Sequence, residues 1–122
     1  MNYTHRINHI NKIITVRTTG DLTTNELAAM GILMRLKARN LNYKILFDYS
    51  LSKNYISIAE AYYWFSNHYD PIDKTLRYVT AAIVYNLKDE SFFNFLETTC
   101  SNAGIKIKVF IDKKIALEWI LK

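Results

Sequence analysis

The side chains to test first for chemistry are Asp21 and Asp48, the histidines His5, His9 and His68, the cysteine Cys100, and Ser57. Two carboxylates can drive acid–base hydrolysis only where they converge on one substrate. Asp21 and Asp48 each follow a strand-like run, and open α/β sheets hold ligands near the carboxyl ends of adjacent strands. Each also stands where turn and helix-approach chemistry favours an acidic residue. Neither has a glycine-rich phosphate loop, a local histidine or a nucleophile beside it, so the requirements for an enzyme are not met. His5 and His9 share a strand face, but at about 3.3 Å per residue they stand about 13 Å apart. Zinc needs three or four converging ligands, which makes all three histidines surface or edge residues. Cys100 is the single cysteine, so no intramolecular disulfide forms. It follows two threonines near the inward stripe of a helix, with no histidine to activate it, and reads as a buried structural thiol. No enzyme activity, metal or cofactor is expected.

Ser57 opens the segment Ser57-Ile58-Ala59-Glu60, which has the spacing of a capping box. As an N-cap the serine contributes ~1 kcal/mol of helix stability. As a candidate phosphoacceptor it would place the added charge at a helix N-terminus, which favours anions. In the helix that follows, Ile58, Ala61, Tyr62, Phe65 and Tyr69 recur at helical spacing and predict the buried stripe. Tyr63 and Trp64 lie further round the 3.6-residue turn, and with Tyr55 upstream they predict an exposed aromatic patch. Asp48, Tyr55, Ser57, Tyr63 and Trp64 together form the expected partner-binding region. A second arrangement is a ligand pocket under this helix and the next, lined by Tyr62, Phe65, Phe92 and Phe95, that takes a lipid or apolar small molecule.

The elements that position these residues follow from periodicity and punctuation. Tyr3–His9 and Ile13–Thr18 read as two strands joined by Asn8-His9-Ile10-Asn11, and Gly20-Asp21 reads as a strand break. Thr23-Thr24-Asn25-Glu26 is another capping box, opening a helix with Leu27, Met30, Met34 and Ala38 inward, Leu33 and Leu41 beside them, and Asn40 as its stop. Lys44-Ile45-Leu46-Phe47, ending at Asp48, suits a central strand, and Ser50–Asn54 reads as a loop. Asp70-Pro71 ends the second helix. Tyr78–Val84 is the most strand-like run. Asp89 caps a third helix with Phe92, Phe95, Leu96, Thr99 and Ala103 inward, and Gly104 stops it. Ile105, Ile107, Val109 and Ile111 alternate with Lys106, Lys108 and Phe110 as a half-exposed strand. Asp112 then caps a last helix packed down by Ala116, Trp119 and Ile120. The order ββαβαβαβα means right-handed crossovers and a mainly parallel sheet in one domain spanning 1–122.

Composition agrees. Half of the 122 residues are hydrophobic and 14% are aromatic, which excludes disorder and supplies a core without staples. Three glycines and one proline argue for long regular elements over a turn-dense β-sandwich. No apolar run reaches the ~18 residues of a transmembrane segment, and the N-terminus lacks a signal-peptide core, so a reducing cytoplasm is the expected location. The formal charge is +5, but the basic residues are scattered, with Lys113-Lys114 the longest run. That pattern is a solvated surface and not a specific nucleic-acid footprint.

This order and punctuation resemble the STAS domain family, in its SpoIIAA-like branch, over almost the whole chain. Gly20-Asp21-Leu22-Thr23 resembles the turn from the second strand into the first helix. Ile45-Leu46-Phe47-Asp48 resembles the central strand with its terminal acid. Val109-Phe110-Ile111-Asp112, followed by Ala116-Leu117-Glu118-Trp119-Ile120, resembles the closing strand and helix. The resemblance implies a mixed sheet of about five strands with four helices, and a bacterial, non-enzymatic regulatory module that meets a protein partner or a second copy of itself. It implies a switch serine at the start of the helix after the central strand, about where Ser57 stands. The family pattern there is an aspartate followed by serines and a glycine, whereas this chain has Ile56-Ser57-Ile58-Ala59. Some SpoIIAA-like relatives resemble lipid-binding domains in fold, which is the source of the carrier alternative.

Overall fold

A computed structural model describes residues 1–68 and 74–122. Its strands are β1 (Asn2–Asn8), β2 (Ile13–Leu22), β3 (Lys44–Asp48), β4 (Ser52–Asn54), β5 (Ala81–Val84) and β6 (Ile107–Phe110). Its helices are α1 (Thr24–Leu41), α2 (Ile58–His68), α3 (Glu90–Asn102) and α4 (Lys113–Ile120). The main sheet runs β1-β2-β3-β5-β6, antiparallel at β1–β2 and parallel at each later pairing. This is the expected mixed sheet with four helices, extended by the short β4, which pairs with β2.

Successive parallel strands are added on one side, so right-handed crossovers put their helices on one face. That face is packed by α1, α2 and α3 over Ile14, Val16, Ile45, Phe47, Ala81 and Ile83. The alternate residues Ile13, Leu46, Ala82 and Val84 point the other way and are covered by Ala116 and Ile120 of α4. The period of two along β2, β3 and β5 therefore feeds two separate apolar cores. Among the described residues, no helix is long and apolar enough to cross a membrane.

Several boundaries differ from those expected, each for a physical reason. Gly20 does not end β2. With φ of +82° it bends the strand, which keeps pairing with β3 as far as Arg17 and then takes up β4 from Gly20 to Leu22. Ser50–Asn54 is thus part loop and part strand, fixed by a buried 2.6 Å hydrogen bond between the Thr18 and Ser52 hydroxyls. Helix α1 runs past Asn40 and stops at Asn42, whose left-handed φ of 59° lets its N–H reach the Ala38 and Arg39 carbonyls. Beside its buried Met30, Met34 and Ala38, Leu33 and Leu41 are exposed. Tyr78–Thr80 is not strand: Lys74–Tyr78 form a 3-10 turn, and β5 begins only at Ala81. In α3 the buried face is centred on Phe92, Phe93 and Cys100, rotated from the expected stripe, while Phe95, Leu96, Thr99 and Ala103 are half-buried. Phe93 stacks on Tyr49 and Tyr85 at 5.8 and 5.1 Å, and this aromatic stack sets the rotation.

Candidate functional site: the α2 surface and the cavity beneath it

Helix α2 is approached through β4. The Tyr55 N–H donates to the Leu22 carbonyl, and Asn54 ties the turn by accepting from the Ile56 N–H and donating to its carbonyl. Ser57 then caps the helix. Its Oγ accepts from the Glu60 N–H at 3.1 Å, while the Glu60 carboxylate accepts from the Ser57 N–H at 3.4 Å and from the Thr24 hydroxyl. These bonds hold the Glu60 carboxyl below its usual pKa, the Ser57 N–H being the largest cause. Both halves of the capping box are formed. At Thr23 they are not: the Thr23 hydroxyl donates to the Glu26 carboxylate at 3.0 Å and makes no cap to the backbone. The N-terminal ammonium takes the other Glu26 oxygen at 3.3 Å, and the carboxyl is held below its usual pKa, chiefly by the Thr23 hydroxyl.

The inward arc of α2 differs from the expected stripe. Ala61 is buried, and Trp64 and Phe65 are half-buried and meet edge-to-face at 5.6 Å. Tyr62 lies 100° from Ala61 on the helix and Tyr63 200° from it, by the 3.6-residue turn. They are 65% and 66% exposed, with Ile58 45% and Tyr55 55% exposed. The outward surface is therefore Tyr55, Ile58, Tyr62 and Tyr63, with the Lys53 ammonium 4.9 Å from the Tyr55 ring centre. A helix carrying large apolar groups at five of eight positions from Ile58 to Phe65 has no unique stripe. The small Ala61, which permits close approach to the layer beneath, is the signal that marks its inner side. Tyr69 and the helix end expected at Asp70-Pro71 lie outside the described residues.

Of the five residues expected to meet a partner, Tyr55, Ser57 and Tyr63 are on the exposed surface, and Trp64 turns inward. Asp48 is buried at the end of β3 on the α4 side of the sheet, since its register partner is Arg17. One carboxylate oxygen accepts from both the N–H and the hydroxyl of Ser50, and the other lies 3.9 Å from Arg17 and 3.7 Å from Lys113. It ties a turn together. Asp21 stands four residues beyond Arg17 along β2, so the two aspartates do not converge. His9 bonds the Tyr43 hydroxyl at 2.7 Å and His5 the Lys37 amine at 3.3 Å. Among the described residues no cluster of histidine, cysteine and carboxylate side chains could hold a metal.

Beneath α2 lies a cavity of about 150 Å³, between the sheet and α1, α2 and α3. Phe65 and Phe92 line it, as does Trp64, whereas Tyr62 and Phe95 do not. Cys100 is in its wall, and burial pushes the thiol pKa up to about 11. Tyr49, stacked between Phe47 and Phe93, also faces the cavity, and burial raises its pKa. Sequence reasoning missed Arg35, which enters this cavity from α1. The available signal was Gly31, one helical turn before it on the same face.

No family model matches the chain, and no curated protein matches it. Solved structures do. An anti-sigma factor antagonist from Mycobacterium paratuberculosis superposes with a TM-score of 0.58 at 11% identity, over 99% of this chain and 96% of that one. An uncharacterised DUF3478-family protein with a SpoIIAA-like fold from Shewanella loihica gives 0.55 at 17% identity, over 98% of this chain and 92% of that one. The fold of this chain is thus SpoIIAA-like, as its order of elements led one to expect.

Proposed function

We propose that this chain is a non-enzymatic protein-recognition module of the bacterial cytoplasm, and that it meets its partner through the outer surface of α2. The observation that carries the reading is the exposure of Tyr55, Ile58, Tyr62 and Tyr63 on one helix and its approach. Tyrosines give large, stiff contact areas with a polar tip, and they are enriched where interfaces concentrate their binding energy. None of these four side chains belongs to either apolar core. One chain sharing the fold is an anti-sigma factor antagonist, named for its action on another protein, which supports a regulatory setting. A reducing compartment agrees with a single buried cysteine kept as a thiol. Ser57 acts here as the helix cap that orders the patch.

The test is native mass spectrometry and affinity capture with the wild type and a Tyr62→Ser/Tyr63→Ser variant. The wild type is expected to form a dimer or to retain a protein partner, and the double variant to lose it while staying folded. An unchanged oligomeric state and an unchanged set of captured proteins in the variant would overturn the reading.

A further inference from the structure

The cavity beneath α2 holds a half-buried guanidinium with no described carboxylate beside it. Arg35 folds back along α1 so that its guanidinium lies 5.1 Å from the centre of the Phe47 ring, over the apolar floor of the sheet. Its Nε is buried and has no hydrogen-bond partner. Among the described residues no carboxylate comes within ion-pairing distance of it. Among the described residues the cavity walls carry Arg35 and Lys74, with Arg77 engaged in an interaction of its own, and no aspartate or glutamate. A guanidinium taken partly out of water normally has a carboxylate or phosphate against its fork, because leaving it unpaired is costly. Apart from Thr24, the rest of the described lining is apolar or aromatic, including Trp64, Phe65 and Phe92.

Gly31 gives an independent indication. Glycine in a helix interior costs ~1 kcal/mol relative to alanine, yet Gly31 is buried in the middle of α1. A methyl group there would stand 3.4 Å from Arg35 Nη1. The bare backbone at 31 leaves room for the guanidinium to fold back over the helix.

We propose that this cavity binds a small organic carboxylate, its carboxylate on Arg35 and its apolar body against Trp64, Phe65 and Phe92. Size sets the class. A cavity of about 150 Å³ is the volume that accepts benzene in an engineered protein core. It is well below the roughly 300–1,000 Å³ of pockets for drug-sized ligands, and too small for a long acyl chain. The ligand is a monocarboxylate with an aromatic ring or a short branched chain, and not a membrane lipid.

The test titrates the ¹⁵N-labelled protein with benzoate and with its neutral isostere benzamide. The chain has two tryptophans, and they report differently: Trp64 lines the cavity, whereas Trp119 packs on Phe110 on the opposite side of the sheet. Benzoate is expected to shift the Trp64 indole N–H and leave that of Trp119 in place, with benzamide at least about tenfold weaker. Arg35→Met is expected to abolish the preference for the anion. Gly31→Ala is expected to weaken benzoate binding while raising the unfolding midpoint, a combination that a damaged fold does not produce. Equal response to benzoate and benzamide in the wild type would overturn the proposal, whatever the folding of the variants. So would a preference that survives Arg35→Met, or the absence of any shift at Trp64.

Discussion

Two segments with the same capping-box spacing, Thr23-Thr24-Asn25-Glu26 and Ser57-Ile58-Ala59-Glu60, differ in what they do, and substitution should separate them. Ser57→Ala removes the acceptor of the Glu60 N–H and leaves that donor in the first turn of α2 without a protein partner. Loss of an N-cap of this type costs ~1 kcal/mol. With a urea slope of about 1.5 kcal/mol/M for a domain of this size, the midpoint should fall by about 0.7 M with no change in slope. Thr23→Val removes only a hydroxyl bonded to an exposed carboxylate, since Thr23 makes no side-chain cap. Its cost should stay within ~0.5 kcal/mol, or about 0.3 M. The assay is urea unfolding by circular dichroism at neutral pH. Equal midpoint shifts, or a larger one at Thr23, would refute the argument that the bonds formed, and not the motif, carry the stability. The sign with pH also follows. Glu60 is held below its usual pKa in the folded chain, so its contribution is present above the unfolded value and is lost as pH falls through the folded one.

Other outcomes follow from the cores and the buried thiol. Phe93→Ala removes the ring stacked on Tyr49 and Tyr85, and should cost ~3–5 kcal/mol in urea unfolding. Tyr62→Ser/Tyr63→Ser changes two exposed side chains, and each should alter stability by less than ~0.5 kcal/mol, so a lost partner cannot be ascribed to unfolding. Cys100, its pKa raised from 9.0 to about 11, stays protonated in the folded chain over a range where the unfolded chain ionises. Stability should therefore decline as pH rises from 9 towards 11, a decline that Cys100→Ala reduces when both midpoints are followed. The same thiol should react with a disulfide reagent only at the rate at which the α3 side of the core opens.

How much of this was legible beforehand depended on how local the determinant was. Ser57 and Glu60 are three residues apart, so a reciprocal cap was legible as a candidate from spacing, although the same spacing at Thr23 and Glu26 does not form one. The order of strands and helices was legible because the apolar period switches repeatedly between two and 3.6. Strand β4 was not: Ser52-Lys53-Asn54 is too short and polar to show a period, and its pairing depends on the bend at Gly20. The faces of α2 and α3 were misread because aromatic residues surround both helices. In α3 a distant partner, the Tyr49–Phe93–Tyr85 stack, chooses among the possible rotations. Arg35 was invisible among scattered basic residues, because its place in the cavity wall over the Phe47 ring is set by three-dimensional proximity.

The pairing of β4 with the outer half of β2 has a consequence for recognition. The residues leading to α2 are held by backbone bonds to Leu22 and by the buried Thr18–Ser52 hydroxyl pair, and Tyr55 follows directly. The patch is therefore preorganised. A partner docking on it need not freeze a loop, an ordering that costs about 0.5–1.5 kcal/mol for each immobilised side chain. Association through α2 should accordingly resemble the meeting of two rigid bodies, with little change in backbone order on either side of the contact.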